Sequence, residues 1–308
     1  MSQRVDLLGL IRSKKLVLHA VFHTCPQGLL QSAPREAWGQ ARFIQGALAK
    51  LPSFCLDFVH ELEDLLMVER TLAGQIALIT GASSGIGRAI AEELAKHGAD
   101  VALLARRKDE LEETAQICAS YEVRSLILPC DLQNRNELQG AVEQCAADLG
   151  GINILINNAG IMHGGATHEL DLDQFDQVMG VNIAAPVAIT RYALPHILKH
   201  PRGAVIQIAS VAGKMSFKGG AMYCASKHAL VGFSNSLFED VREQGIKVCA
   251  ICPGYVNTPM MDGRTLQLDK MIQPEDIAKA VMFAVRYPDT GCPTEIYLRP
   301  QRSPSLSR

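Results

Sequence analysis

The 308-residue chain has no apolar run of the ~18–20 residues needed to cross a bilayer, which argues against a transmembrane helix. Charge of one sign is also missing: 30 Lys and Arg face 32 Asp and Glu, for a formal net charge of −2. Aromatic residues make up 5% of the chain, and no basic patch interleaved with them appears. Such a balance gives no reason to expect nucleic-acid binding. A disulfide framework is absent as well. The nine cysteines are odd in number and scattered, which suits a reducing compartment. Cys249 and Cys252 form a C-x-x-C, but within the apolar run VCAIC. Residues three apart on a strand face opposite ways and lie roughly 10 Å apart, too far for a disulfide. Both are expected as structural thiols.

Metal-ligand spacing is lacking too. His163, His168, His196, His200 and His228 form no cluster, and His196 and His200 have neither an H-E-x-x-H setting nor a third ligand. No metal is expected. The chain contains no internal repeat beyond an alternation of short and long apolar patterns.

Residues 1–66 read as an N-terminal extension. The first 50 carry seven basic residues (Arg4, Arg12, Lys14, Lys15, Arg35, Arg42, Lys50) against Asp6 and Glu36. This acid-poor balance weakly resembles an organelle transit segment. LVLHAVF at 16–22 is short, is broken by His19, and is not followed by a clear cleavage site, so a secretory signal is not expected. Phe54, Phe58, Leu62, Leu65 and Leu66 recur at helical spacing, which fits a docking helix or a plain surface helix. A start of translation, or processing, near Met67 is a third reading, decided by the intact mass of the natural protein. The expected location is cytoplasmic, or an organelle matrix if residues 1–66 are a transit segment.

From Gln75 the pattern becomes regular. Continuous apolar runs at 76–80, 101–105, 125–130, 152–157, 204–209, 247–252 and 295–298 alternate with longer helical patterns. Continuous rather than alternating runs mean strands covered on both faces. The expected fold is α/β: a Rossmann-type doubly wound parallel sheet of seven strands flanked by helices on both faces, with residues 67–308 as a single domain. The final QRSPSLSR reads as a polar tail.

Two stretches carry chemistry. Thr80–Gly87, TGASSGIG, follows the first strand and opens a helix. Gly81 permits a tight turn, Gly85 lets backbone approach a diphosphate, and Gly87 lets helix and strand pack closely, with amides at the helix start facing the phosphates. In Ser210–Lys227, SVAGKMSFKGGAMYCASK, Tyr223 and Lys227 lie four apart at the start of a helical pattern and share a face. An ammonium about 5 Å from the phenol favours the phenolate by ~3 kcal/mol, or ~2 pK units, at an effective dielectric of ~20. Tyr223 is thereby brought closer to neutrality as a general acid or base. Ser210, at the carboxyl end of an apolar run, can hold a substrate oxygen near that phenol.

The spacing G-x-x-x-G-x-G at 81–87, together with Ser210, Tyr223 and Lys227, resembles the short-chain dehydrogenase/reductase family. Further motifs agree in order: Asp131-Leu132 after the third strand, N-N-A-G at Asn157–Gly160, Asn182 in MGVNIAAP, Pro253-Gly254, and Val256-Asn-Thr258. The resemblance implies a nicotinamide cofactor held by Gly81, Ser83, Ser84, Gly85, Ile86, Gly87, Arg106, Arg107, Asp131, Leu132, Asn158, Ala159, Gly160, Tyr223, Lys227, Pro253, Gly254, Val256 and Thr258. It further implies catalysis by Asn182, Ser210, Tyr223 and Lys227, interconverting a carbonyl and an alcohol, and assembly as a homodimer or homotetramer. At the end of the second strand Ala105 stands where a carboxylate would repel a 2'-phosphate, and Arg106, Arg107 and Lys108 follow. Guanidinium forks suit a phosphate, so NADP(H) is expected over NAD(H). That preference rests mainly on Arg106, and Arg107 and Lys108 stay open between cofactor contact and plain solvation. Some NADP-using relatives carry a basic residue where this chain has Ser84.

Met260, Met261, Leu266, Leu268 and Met271 fall in the segment the family uses to cover substrate, which suits a hydrophobic ketone or aldehyde. Two alternatives remain: a 3-oxoacyl-[acyl-carrier-protein] reductase, and an NADP(H)-binding regulator without turnover.

Overall fold

The computed structural model describes residues 71–263 and 265–305. The readings of residues 1–66, including a start at Met67, lie outside the described residues. Seven strands form one parallel sheet: β1 (Ile76–Thr80), β2 (Asp100–Ala105), β3 (Ser125–Pro129), β4 (Ile154–Asn157), β5 (Ala204–Ile208), β6 (Lys247–Pro253) and β7 (Glu295–Leu298). Their order is β3-β2-β1-β4-β5-β6-β7. The helices are α1 (Gly85–Lys96), α2 (Lys108–Ala119), α3 (Arg135–Leu149), α4 (Leu172–Met179), α5 (Ala185–Ile197), α6 (Ala221–Val241) and α7 (Pro274–Arg286), with a π-helical turn at Gly180–Ala184 between α4 and α5.

The continuous apolar runs have a simple cause. Along β1, Ala77 and Ile79 enter one core with Ile90 and Leu94 of α1, Leu111 of α2 and Val281 of α7. Leu78, one residue out of phase, enters the other core with Leu138 of α3, Ile189 of α5 and Leu237 of α6. Both faces of the strand are buried, each such Leu or Ile contributing ~1.5–3 kcal/mol on removal from water. Cys249 and Cys252 are buried free thiols in β6, with their acidities weakened mainly by burial.

Strand order reverses between β1 and β4, so the loops after these strands diverge and leave a crevice at the carboxyl edge of the sheet. Every sequence motif singled out above, apart from Asn182 and the Tyr223–Lys227 pair on helices, follows a strand at that edge. The carboxyl-terminal tail departs from expectation. Pro304 is buried, Leu266 and Ser305 form an antiparallel bridge, and the Gln267 amide donates to the Pro304 carbonyl at 2.9 Å. A polar sequence here still docks, because its backbone finds an unpaired strand-like segment.

Candidate active site

The glycine-rich turn is held from three sides. Thr80 Oγ1 accepts from the amides of Asn158 and Ala159 at 2.9 and 3.1 Å. Asn158 Nδ2 returns bonds to the carbonyls of Thr80 and Gly81 at 2.8 and 3.3 Å. Arg88 Nη2 donates to Ser83 O at 2.7 Å. Only glycine fits at position 87, where a Cβ would lie 2.2 Å from Gly81 O and 2.5 Å from Asn158 Nδ2. The N-cap of α1, Ser84, makes no side-chain capping bond. The first amides of α1 are therefore not satisfied by that side chain, the arrangement that receives an anion at a helix start.

The turn borders a cleft of about 610 Å³. Gly81, Ser83, Ser84, Gly85, Ile86, Arg106, Arg107, Asp131, Leu132, Asn158, Ala159, Gly160 and Thr258 all line it. Gly87, Asn182, Ser210, Tyr223, Lys227, Pro253, Gly254 and Val256 do not form its wall. The cleft also takes in Met260, from the segment expected to cover substrate, and Met162, Gln177 and Val181, which motif reading did not single out. Their only signal in sequence is closeness to a motif.

Two arginines at the end of β2 behave differently. Arg106 is exposed at the cleft and makes no hydrogen bond or ion pair among the described residues. Arg107 reaches back over the turn: its Nη2 donates to Ser83 Oγ and Ser84 Oγ, both at 3.1 Å, while Nη1 pairs with Glu110 at 2.6 Å. Arg107, although exposed, is thus tied to the turn. Lys108 pairs with Glu112 at 3.6 Å on the exposed face of α2. Asp131 accepts from the Gln133 amide at 3.0 Å, and the N-cap of α3 is Asn134.

At the other end Asn182, Tyr223 and Lys227 lie together in a buried polar region. Asn182 sits in the π-helical turn, and its side chain pairs with both backbone groups of Ile161, accepting from N–H and donating to C=O at 2.9 Å each. Its Nδ2 also donates to Ser226 Oγ at 3.0 Å, and Ser226 donates to Tyr223 O at 2.8 Å. Ser226 ties Asn182 to the Tyr223 turn, a role no sequence motif announced. Lys227 Nζ donates to Ile208 O at 3.0 Å and lies 5.8 Å from the centre of the Tyr223 ring. A Cβ at Gly160 would come within 3.4 Å of both Lys227 Nζ and Asn182 Oδ1, so the cleft wall at Gly160 directly backs onto this cluster. Tyr223 packs with Ala212 and Cys224, and the cleft residue Met162 lies against them.

Ser210 lies two residues beyond β5, in extended backbone. Its Oγ accepts from the Ala212 amide at 3.1 Å and makes a long 3.5 Å contact to Pro253 O. Burial lowers the Lys227 ammonium from 10.5 to about 8, with nearby Cys252 acting weakly in the opposite sense. A buried amine with its pKa lowered by burial thus stands beside the Tyr223 ring. Asn157, by contrast, donates to Thr190 Oγ1 at 3.0 Å deep in the core. It braces β4 against α5.

Residues 75–269 match the family model described as short chain dehydrogenase. An uncharacterized oxidoreductase of Staphylococcus aureus strain N315 is 34% identical over 229 residues, covering 74% of this chain and 98% of that one. Among solved structures, a 3-ketoacyl-(acyl-carrier-protein) reductase from Brucella melitensis complexed with NADH superposes with a TM-score of 0.70 at 27% identity, over 76% of this chain and all of that chain. A short chain dehydrogenase from Burkholderia cenocepacia J2315 in complex with NADP gives 0.68 at 30% identity, over 74% and 96% of the two chains.

Proposed function

Because the chain belongs to the short-chain dehydrogenase family and is an oxidoreductase, we propose that it interconverts a hydrophobic carbonyl compound and its alcohol with NADP(H). The observation that carries this reading is the buried cluster of Tyr223, Lys227 and Asn182 set directly behind the cleft wall at Gly160. The residues present fit a dinucleotide. The α1 amides and Gly81–Gly87 would receive the diphosphate, Asp131 and Leu132 would border the adenine, and Arg106 with Arg107, Ser83 and Ser84 would meet a 2'-phosphate. Relatives of this fold are recorded with NADH and with NADP, so the preference for NADP(H) rests on the two arginines.

When bound, the nicotinamide supplies or takes up the hydride. The chain's own groups manage the oxygen. Ser210 orients it by hydrogen bonding, and Tyr223 donates a proton to it in reduction or removes one in oxidation. Lys227, with its ammonium 5.8 Å from the ring centre, would favour the phenolate form of Tyr223. Asn182 holds the Ile161 backbone and Ser226 in place and so fixes the turn that carries Tyr223. Met162 and Met260 give the rim an apolar, adaptable character.

The second reading, reduction of a 3-oxoacyl thioester, is favoured by the Brucella melitensis reductase among the structural relatives. Following NADPH oxidation with simple apolar ketones and with an acetoacetyl thioester separates the two. Preference for ketones supports the first. Preference for the thioester replaces it with the second, and tight NADPH binding without turnover of any carbonyl points to the regulator.

A further inference from the structure

The tail after β7 crosses two segments that flank the candidate active site. Gly254 N donates to Leu298 O at 2.8 Å, which prolongs the β6–β7 ladder, and a Cβ at Gly254 would lie 3.0 Å from Pro300 Cδ and 3.7 Å from Arg299 Cα. The absence of a side chain at 254 lets the tail pass directly over the turn after β6. Further on, the tail reaches the segment that runs from Met260, at the cleft rim, towards Ile272. There Gln267 donates to Pro304 O, Leu266 pairs with Ser305, and Pro304 is buried between exposed Ser303 and Ser305.

The covering segment is well tied at its far end. Ile272 bridges Val256 and exchanges bonds with Tyr255 and Asn257. At its middle the backbone of Leu266 and Gln267 bonds to the tail, while the Gln273 side chain reaches Leu268 O at 3.2 Å. A space of about 460 Å³, bordered by Lys270, Met271, Arg299 and Arg302, separates the tail from the next turn of the segment. Among the described residues, the bonds between tail and segment fall at Leu266 and Gln267.

We propose that the carboxyl-terminal segment Arg299–Ser305 is a strap that sets where the Met260-bearing segment rests over the cleft, and so selects which carbonyl compounds fit. The proposal rests on the carbonyl–alcohol reading of the site for its substrate class. The strap residues are positioning residues that act through Leu266 and Gln267.

The test compares the full chain with two variants, one ending at Arg302 and one carrying Gln267→Pro. The second removes the amide that donates to Pro304, at a backbone φ of −87° that proline nearly reaches. Amide hydrogen exchange over residues 268–272 is expected to rise about fivefold or more in both, since the opened segment loses its tail bond. KM for a bulky apolar ketone is expected to change about threefold or more, while kcat for the smallest accepted carbonyl and NADPH affinity hold. Unchanged exchange overturns the strap, and raised exchange with an unchanged KM series overturns its role in selection. A full chain that turns over no carbonyl defeats the carbonyl reading instead. Exchange alone then decides the strap, a rise upholding it and no change removing it.

Discussion

The Lys227 ammonium lies 5.8 Å from the centre of the Tyr223 ring and donates to Ile208 O at 3.0 Å, in a position buried from solvent. Burial brings its pKa from 10.5 down to about 8. Below pH 8 folded and unfolded chains both carry this proton, and the fold bears the full cost of a buried charge, about 3 kcal/mol. Between pH 8 and 10.5 the unfolded chain holds the proton more tightly, so this cost fades as pH rises. Urea unfolding of the natural chain and of Lys227→Met from pH 7 to 10 should show the natural chain gaining relative stability above pH 8. A constant difference would mean the amine is not desolvated as described.

Arg106 and Arg107 make separable predictions. Arg106 has no partner among the described residues, so Arg106→Ala should weaken NADPH about 10- to 100-fold, the worth of one or two charge-assisted bonds, and NADH by less than about threefold. Arg107 also braces Ser83 and Ser84, so Arg107→Ala should weaken both cofactors. Fluorescence titration with each nucleotide checks this. Equal losses from Arg106→Ala would remove the argument for NADP(H).

Asn182→Ala strands the N–H and C=O of Ile161, each of which its amide now satisfies. Both groups are partly buried, and a lost partner there costs up to about 1–3 kcal/mol, so a loss of roughly 1–3 kcal/mol is expected, along with reduced turnover. Ser226→Ala removes a hydroxyl linking Asn182 to Tyr223 and should cost about 1 kcal/mol with a smaller loss of turnover. Denaturant midpoints and kcat check both, and an Asn182→Ala protein as stable as the natural chain would contradict this role.

The sheet was legible because burial on both faces writes itself as unbroken apolar runs. The expected strands 76–80 and 295–298 coincide with β1 and β7, and the others shift by at most two residues at an end. The grouping of Gly81, Arg106, Asp131 and Asn158 around one cleft was legible too, since each directly follows a strand at the same sheet edge. What stayed hidden depends on pairs distant in sequence. The reach of Arg107 to Ser83 and Ser84, the bridging hydroxyl of Ser226 and the docking of Pro304 beside Leu266 leave no periodicity or spacing to read. The π-helical turn at Asn182 is of the same kind: the pairing of its amide with Ile161 appears only once β4 and α5 are placed.

Proton transfer by Tyr223 is measured most directly by single-turnover NADPH oxidation in Tyr223→Phe, with nucleotide affinity measured on the same protein. Loss of a positioned acid should slow the reaction by about 10²–10⁴-fold while NADPH affinity stays within about threefold of the natural chain. A Tyr223→Phe protein that reduces its carbonyl substrate at the natural rate would contradict the account.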